Sequence, residues 1–170
     1  MTSTLVLGGA RSGKTRRALA LAAPFAVRIY IATAEALDDE MAARIAAHQA
    51  EREAAWRTLE APLDLADAIA SAPAGACAVV DCLTLWLSNL MHAGRDVRAA
   101  THGLVAALSA GAADVVLVSN EVGLGLVPET RLGRAFRDEQ GRLNQAVAAA
   151  ADRVEFVAAG LPIALKGGPA

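Results

Sequence analysis

Cysteine is nearly absent from this 170-residue chain. Cys77 and Cys82 are the only two, too few for a disulfide framework and too few for a cysteine-rich zinc site. Long apolar runs are missing as well. The longest stretch free of Asp, Glu, Lys and Arg is the 15 residues Ala99–Ala113, and it holds Thr101, His102 and Ser109, whereas a membrane-spanning helix needs about 20 apolar residues. The mean hydropathy of +0.37 comes from alanine, which supplies 42 of the 170 residues. Charge of one sign is not in excess either. A net charge of −2 and a pI near 5.9 give no electrostatic case for nucleic acid or an anionic membrane. The N-terminus has no basic flank or apolar core of a signal peptide, since Thr2–Val6 leads directly into glycines. There is no N-K-x-D run and no H-R-D catalytic loop, which argues against a Ras-type GTPase and a protein kinase. A soluble cytoplasmic protein is expected, with no nucleic-acid partner and no membrane insertion.

What the chain does have is 55% hydrophobic residues, enough for a sizeable core at a length that suggests one domain over 1–170. Short β-rich apolar runs alternate with longer alanine-rich helical stretches, the pattern of parallel strands joined by helical crossovers. Strands are expected at Thr4–Leu7, Arg28–Ala32, Ala76–Asp81, Asp114–Ser119, Arg153–Val157 and Pro162–Leu165. Helices are expected at Lys14–Ala23, Asp38–Ala55, Leu63–Ser71, Leu83–His92, Val97–Ala110 and Glu129–Ala151. Most of the strands are apolar throughout, as in a sheet covered on both faces.

Between the first strand and the first helix lies Gly8-Gly9-Ala10-Arg11-Ser12-Gly13-Lys14-Thr15, which satisfies G-x-x-x-x-G-K-[ST] in the right setting. Glycines let such a loop curl its N–H groups toward phosphate oxygens, and the helix N-terminus adds positive potential. Lys14 would reach the β/γ phosphates, and the Thr15 hydroxyl would ligate Mg²⁺. The bland alternative is a glycine-rich turn that happens to contain a lysine. With the order of strands and helices, the loop predicts a P-loop NTPase-like α/β fold: a mostly parallel central sheet with helices on both faces. Ala78-Val79-Val80-Asp81 then reads as a strand ending in a metal-side carboxylate, although strands also end in Asp for turn chemistry alone.

A second informative stretch runs from Asp38 to Arg52. Three acids, Asp38, Asp39 and Glu40, open it and favour helix initiation. At 100° per residue Met41, Ile45, His48 and Arg52 share one stripe, greasy first and polar from His48 onward. Arg44 and Arg52 flank His48 at i−4 and i+4, and nearby cations favour neutral, nucleophilic imidazole. The opposing reading is a surface helix with an incidental His. His92 and His102 lack comparable cationic partners and read as structural.

These residues together resemble the bifunctional adenosylcobinamide kinase/adenosylcobinamide-phosphate guanylyltransferase family of cobalamin biosynthesis, over nearly the whole chain from Leu5 to Lys166. The resemblance rests on the phosphate loop, Tyr30–Ala34, Asp38–Met41 through His48, Trp56–Thr58 with Glu60, Asp81–Thr84 and Trp86–Leu90. Its longest block is Ser119–Glu129, followed by Phe136–Asp138 and Gly141–Gln145. It implies two reactions, with ATP or GTP and Mg²⁺. The γ-phosphate first passes to adenosylcobinamide. A histidine then takes GMP from GTP and passes it to adenosylcobinamide phosphate. Matched by position, the nucleophile is His48, and Lys14 is catalytic. Nucleotide contacts fall on Gly8, Gly9, Ala10, Arg11, Ser12, Gly13, Lys14, Thr15, Ala32, Thr33, Ala34, Gln49, Ala50, Glu51, Arg52, Glu60 and Asp81, with Thr15 and Asp81 also on the metal. The resemblance further implies a homotrimer. Two other readings compete: a P-loop kinase of an unrelated alcohol with His48 structural, and a slow nucleotide switch that transfers nothing.

Overall fold

The computed structural model describes residues 1–34 and 56–168. The expected helix Asp38–Ala55, with Arg44, His48, Gln49, Ala50, Glu51 and Arg52, lies outside the described residues. Seven strands form one sheet: β1 (Ser3–Gly8), β2 (Val27–Ala32), β3 (Trp56–Glu60), β4 (Ala76–Asp81), β5 (Asp114–Asn120), β6 (Arg153–Ala158) and β7 (Leu161–Lys166). Among the described residues five helices accompany them: α1 (Lys14–Ala22), α2 (Leu65–Ala70), α3 (Leu83–His92), α4 (Val97–Ala110) and α5 (Arg131–Ala150). The strand order is β3-β2-β4-β5-β1-β6-β7. All pairings are parallel except β6 with β7, so every strand but β7 ends at the same edge.

The unbroken apolar strands divide by alternation into two cores. Leu5, Leu7, Ile29, Ile31, Ala78, Val80, Val115 and Leu117 face α2–α5, through Leu65, Ile69, Trp86, Leu87, Leu104 and Leu143. Val6, Tyr30, Cys77, Val79, Val116 and Val118 face the other way, onto Ala18 and Ala22 of α1. Helices thus cover both faces, as expected. No helix among the described residues is long and apolar enough to cross a membrane.

Four elements depart from expectation by two residues or more, or in kind. One is α5, which begins at Arg131 rather than Glu129 because the Thr130 side chain caps it, accepting the Gly133 N–H. β3 was not anticipated, because its five residues WRTLE are mostly solvent-facing and carry two charges on a sheet edge. It is held by parallel pairing to β2, by Trp56 packed edge-on to Tyr30 at 6.2 Å between centroids, and by Arg28 over the Trp56 ring. β7, where the sequence predicts a strand at Pro162–Leu165, is exposed at every position and antiparallel to β6. A two-residue turn, Ala159–Gly160, reaches it with φ of 51° and 82°; positive φ at both centres matches the twist of a tight hairpin. Finally, α2 begins at Leu65 rather than Leu63, where the Leu63 carbonyl instead accepts the Trp86 indole N–H at 2.8 Å.

Candidate active site

The phosphate loop leaves the carboxyl end of β1 and enters α1. Gly8 must be glycine, because a Cβ there would lie 2.5 Å from Ser12 Oγ and 2.6 Å from the Val157 carbonyl. The loop is tied by Ser12 N–H to the Gly9 carbonyl at 3.3 Å and by Gly160 N–H to the Ser12 carbonyl at 2.8 Å. α1 has no side-chain cap and no acid in its first turn, so its N-terminal N–H groups and dipole remain available to an anion. Lys14 is buried and donates to the Gly9 carbonyl at 2.9 Å. Burial pushes its ammonium below the ordinary lysine range, partly offset by neighbouring Cys82 and Asp81. An arriving phosphate would add counter-charge beside this half-desolvated cation.

Asp81, last in β4, faces the same side of the sheet as α1. Thr15 Oγ1 donates to its Oδ2 at 3.4 Å, and the Tyr30 hydroxyl donates to the same oxygen at 2.7 Å. The metal-side pair expected from sequence is therefore brought together, and Tyr30 was missed. Its signal was present: a buried tyrosine needs a partner for its hydroxyl, and Tyr30 lies two residues before Ala32, the register partner of Asp81. Ala32 also pairs with Glu60, so Glu60, Ala32 and Asp81 form one row along the carboxyl edge.

The Thr33 side chain, in the stretch expected to contact the nucleotide, is engaged within the protein. It is fully buried. Its hydroxyl donates to the Cys82 carbonyl and accepts from Cys82 N–H, both at 2.8 Å. Its N–H donates to the Asp81 carbonyl, and its carbonyl accepts from Asn89 Nδ2 at 2.7 Å. Its side chain is withdrawn from the edge and locks β2 to the turn after β4, where the Asp81–Cys82 peptide is cis.

The long motif Ser119–Glu129 builds a second buttress. Gln140 Nε2 donates to Ser119 Oγ and to Asn144 Oδ1, both at 3.0 Å, and Ser119 donates to Asn144 Oδ1 at 2.7 Å. Asn144 Nδ2 reaches the Asn120 carbonyl at 3.1 Å, while Thr84 Oγ1 accepts Asn120 N–H at 2.9 Å. Glu121 N–H then donates to the Gly8 carbonyl. Two helices thus fix the end of β5 against the phosphate loop, and the following loop presents Leu124, Leu126 and Val127 to solvent. On the opposite flank, Arg17 of α1 pairs with buried Glu155 of β6 through two bonds of 2.7–2.8 Å, fixing the helix that carries the loop. Among the described residues, His92 Nδ1 hydrogen-bonds within α3, to the Ser88 hydroxyl and carbonyl.

A family model described as cobinamide kinase / cobinamide phosphate guanyltransferase matches residues 4–165. The bifunctional adenosylcobalamin biosynthesis protein CobP of Pseudomonas aeruginosa is 52% identical over 169 residues, 97% of this chain and 98% of that one. The corresponding CobU protein of Salmonella typhimurium is 44% identical, covering 95% of this chain and 98% of its own. A solved structure from Pyrococcus horikoshii OT3 shares the fold with a TM-score of 0.57 at 10% identity, over 99% of this chain and 87% of that one. The match spans the phosphate loop, the Thr15–Asp81 pair and the β5 buttress together, and this chain belongs to the cobinamide kinase / cobinamide phosphate guanyltransferase family.

Proposed function

We propose that the chain catalyses two successive transfers onto one corrinoid. In the first, the hydroxyl of adenosylcobinamide attacks the γ-phosphorus of ATP or GTP; an O–P bond forms, the bridge to the nucleoside diphosphate breaks, and the hydroxyl proton leaves. In the second, the His48 imidazole attacks the α-phosphorus of GTP, a P–N bond forms and pyrophosphate departs. A phosphate oxygen of adenosylcobinamide phosphate then attacks that phosphorus, the P–N bond breaks, and adenosylcobinamide-GDP is released with His48 restored. Imidazole suits this role because it is unprotonated near pH 7 and makes an activated phosphoramidate. The observation that carries the reading is the phosphate loop with Lys14 and Thr15 set against Asp81 at the carboxyl edge, in a chain of this family.

Lys14 would exchange the Gly9 carbonyl for the phosphate on which charge develops. Thr15 and Asp81 offer a hydroxyl and a carboxylate, hard oxygens suited to Mg²⁺. Mg²⁺ at phosphoryl-transfer sites is commonly held by one or two protein oxygens together with the substrate phosphates, and Thr15 and Asp81 would supply them. When bound, Mg²⁺ would neutralise charge on the phosphate oxygens. Tyr30 orients the Asp81 carboxylate. Gln49, Ala50, Glu51, Arg52 and Glu60 would hold the guanine nucleotide. The apolar Leu124–Val127 loop beside the phosphate loop suits the corrinoid side. The reading places a homotrimeric enzyme in the cytoplasm, acting on small molecules.

The test is to follow separate labels. With GTP, Mg²⁺ and adenosylcobinamide, γ-label should appear on the corrinoid. With GTP and Mg²⁺ alone, α-label should appear on the protein in an acid-labile, alkali-stable bond. γ-Transfer without any α-adduct would reduce the protein to a simple kinase.

A further inference from the structure

We propose that Asn120 is a catalytic residue of the first transfer, its side-chain Nδ2 donating to an oxygen of the γ-phosphate. The inference rests on the kinase half of the reading above.

β5 lies between β1, which carries the phosphate loop, and β4, which ends in Asp81. A phosphate held between Lys14 and the Thr15–Asp81 pair therefore stands over the end of β5, about 4.8 Å from either neighbouring strand. Asn120 is the last residue of β5, and its register partner is Gly8, where the phosphate loop begins. Asp81 is level with Val118. Asn120 thus stands two residues farther along, about 6.6 Å at roughly 3.3 Å per residue, at the height of the loop.

Alternation along the strand gives its direction. Val116 and Val118 face the α1 side of the sheet, and Ser119 turns the other way, to Gln140 and Asn144. Asn120 faces the α1 side again. Asp81 follows Cys77 and Val79 onto that same side, where it meets Thr15. The amide, the carboxylate and the first turn of α1 therefore share one face of the carboxyl edge.

The main chain at Asn120 is fixed by three elements. Its N–H donates to Thr84 Oγ1 at 2.9 Å, its carbonyl accepts from Asn144 Nδ2 at 3.1 Å, and the next N–H, of Glu121, donates to the Gly8 carbonyl at 3.1 Å. The side-chain amide is only partly buried and makes no hydrogen bond among the described residues. A rigid backbone thus carries an uncommitted donor, the arrangement that stabilises developing charge without reorganisation. An amide also suits the place. A carboxylate would repel both Asp81 and the phosphate, and a lysine or arginine would be drawn onto Asp81, whereas an amide donates without forming an ion pair. During the first transfer, charge is spread over the γ-phosphoryl oxygens. In the second, the bond that breaks is at the α-phosphorus, and a donor on the γ-phosphate contributes less.

Asn120→Ala and Asn120→Asp test this, and both keep the three main-chain bonds, so melting temperatures should stay near that of the wild type. Each full-length protein is titrated, with Mg²⁺, with ADP and with the β,γ-imido analogue of ATP, and then assayed for adenosylcobinamide phosphorylation by ATP and for uptake of α-label from GTP. Asn120→Ala should leave ADP affinity unchanged and lower analogue affinity about tenfold, as for one lost hydrogen bond to a charged group. The kcat of phosphorylation should fall about 10²-fold, with a smaller effect on α-label uptake. Asn120→Asp should lose more of both analogue affinity and kcat, because its carboxylate repels the γ-phosphate. A lower kcat with both affinities intact would still support the contact, made then on the phosphoryl group in transit. Equal loss of affinity for ADP and the analogue would make Asn120 a support of the loop, and unchanged analogue affinity and rate would turn the amide away from the phosphate; either overturns the proposal. A wild type that does not phosphorylate adenosylcobinamide would refute the kinase reading instead, and the paired titrations would still decide whether Asn120 meets the γ-phosphate.

Discussion

Replacing Thr33 by valine separates a structural hydroxyl from a nucleotide contact. Thr33 is fully buried, and its hydroxyl serves both polar groups of the Cys82 peptide unit at 2.8 Å. In Thr33→Val the Cys82 carbonyl keeps the Trp86 N–H at 3.1 Å, but the Cys82 N–H loses its acceptor. An unsatisfied buried donor costs about 1–3 kcal/mol, and the second lost bond adds about 1. The total is about 2–4 kcal/mol. At roughly 2–4 °C per kcal/mol for a domain of this size, the melting temperature should fall by about 5–15 °C. Thr33→Ser keeps the hydroxyl and trims one methyl, a loss of about 1 kcal/mol. Calorimetry on the three proteins, with GTP binding by titration well below each transition, measures both effects. A valine variant that melted with the wild type while losing GTP affinity would refute the reasoning, since the hydroxyl would then face the nucleotide.

Lys14→Ala should lower both phosphorylation and GMP-adduct formation about 10²–10³-fold, a few kcal/mol of lost charge stabilisation; steady-state rates with near-normal values would displace the nucleotide from this loop. Asp81→Asn should lose activity most at limiting Mg²⁺, with a smaller effect on thermal stability, and a Mg²⁺ titration identical to wild type would return Asp81 to a turn-forming residue. The cysteines give a pH test. Burial, with Asp114 near Cys77 and Asp81 near Cys82, raises the two thiols to about 12 and about 11. Raised values mean suppressed thiolate: about one Cys82 in a thousand at pH 8, against about a quarter of free cysteine at its ordinary ~8.5. Iodoacetamide should therefore label the native protein at least ~100-fold more slowly than the unfolded one at pH 8, and fast native labelling would contradict the burial.

The buried strands were legible because a sheet covered on both faces requires long apolar runs, and β1, β4 and β5 are such runs. The edges were not. β3 is paired on one side only, so its composition reports solvent rather than sheet, while β7 has the apolar composition of a core strand and none of the burial. The phosphate loop was legible because its chemistry is local: glycines, a lysine and a hydroxyl within eight residues. The partners of Asp81 and Asn120 come from elements far along the chain. Tyr30 reaches Asp81 across 51 residues, and Asn144 reaches Asn120 across 24. Thr33 shows the converse limit. Its motif singles out the stretch, yet only the fold reveals that its hydroxyl points inward.

The central claim is that one histidine separates the two chemistries, and His48→Ala tests it most directly. Without the imidazole the α-phosphorus has no nucleophile, while γ-transfer still has the phosphate loop and a bound alcohol. Purified variant and wild type are given α-labelled GTP and Mg²⁺, and then unlabelled ATP with adenosylcobinamide. The variant should carry no covalent GMP and make no adenosylcobinamide-GDP, yet still produce adenosylcobinamide phosphate. Covalent GMP on the His48→Ala protein would contradict the account.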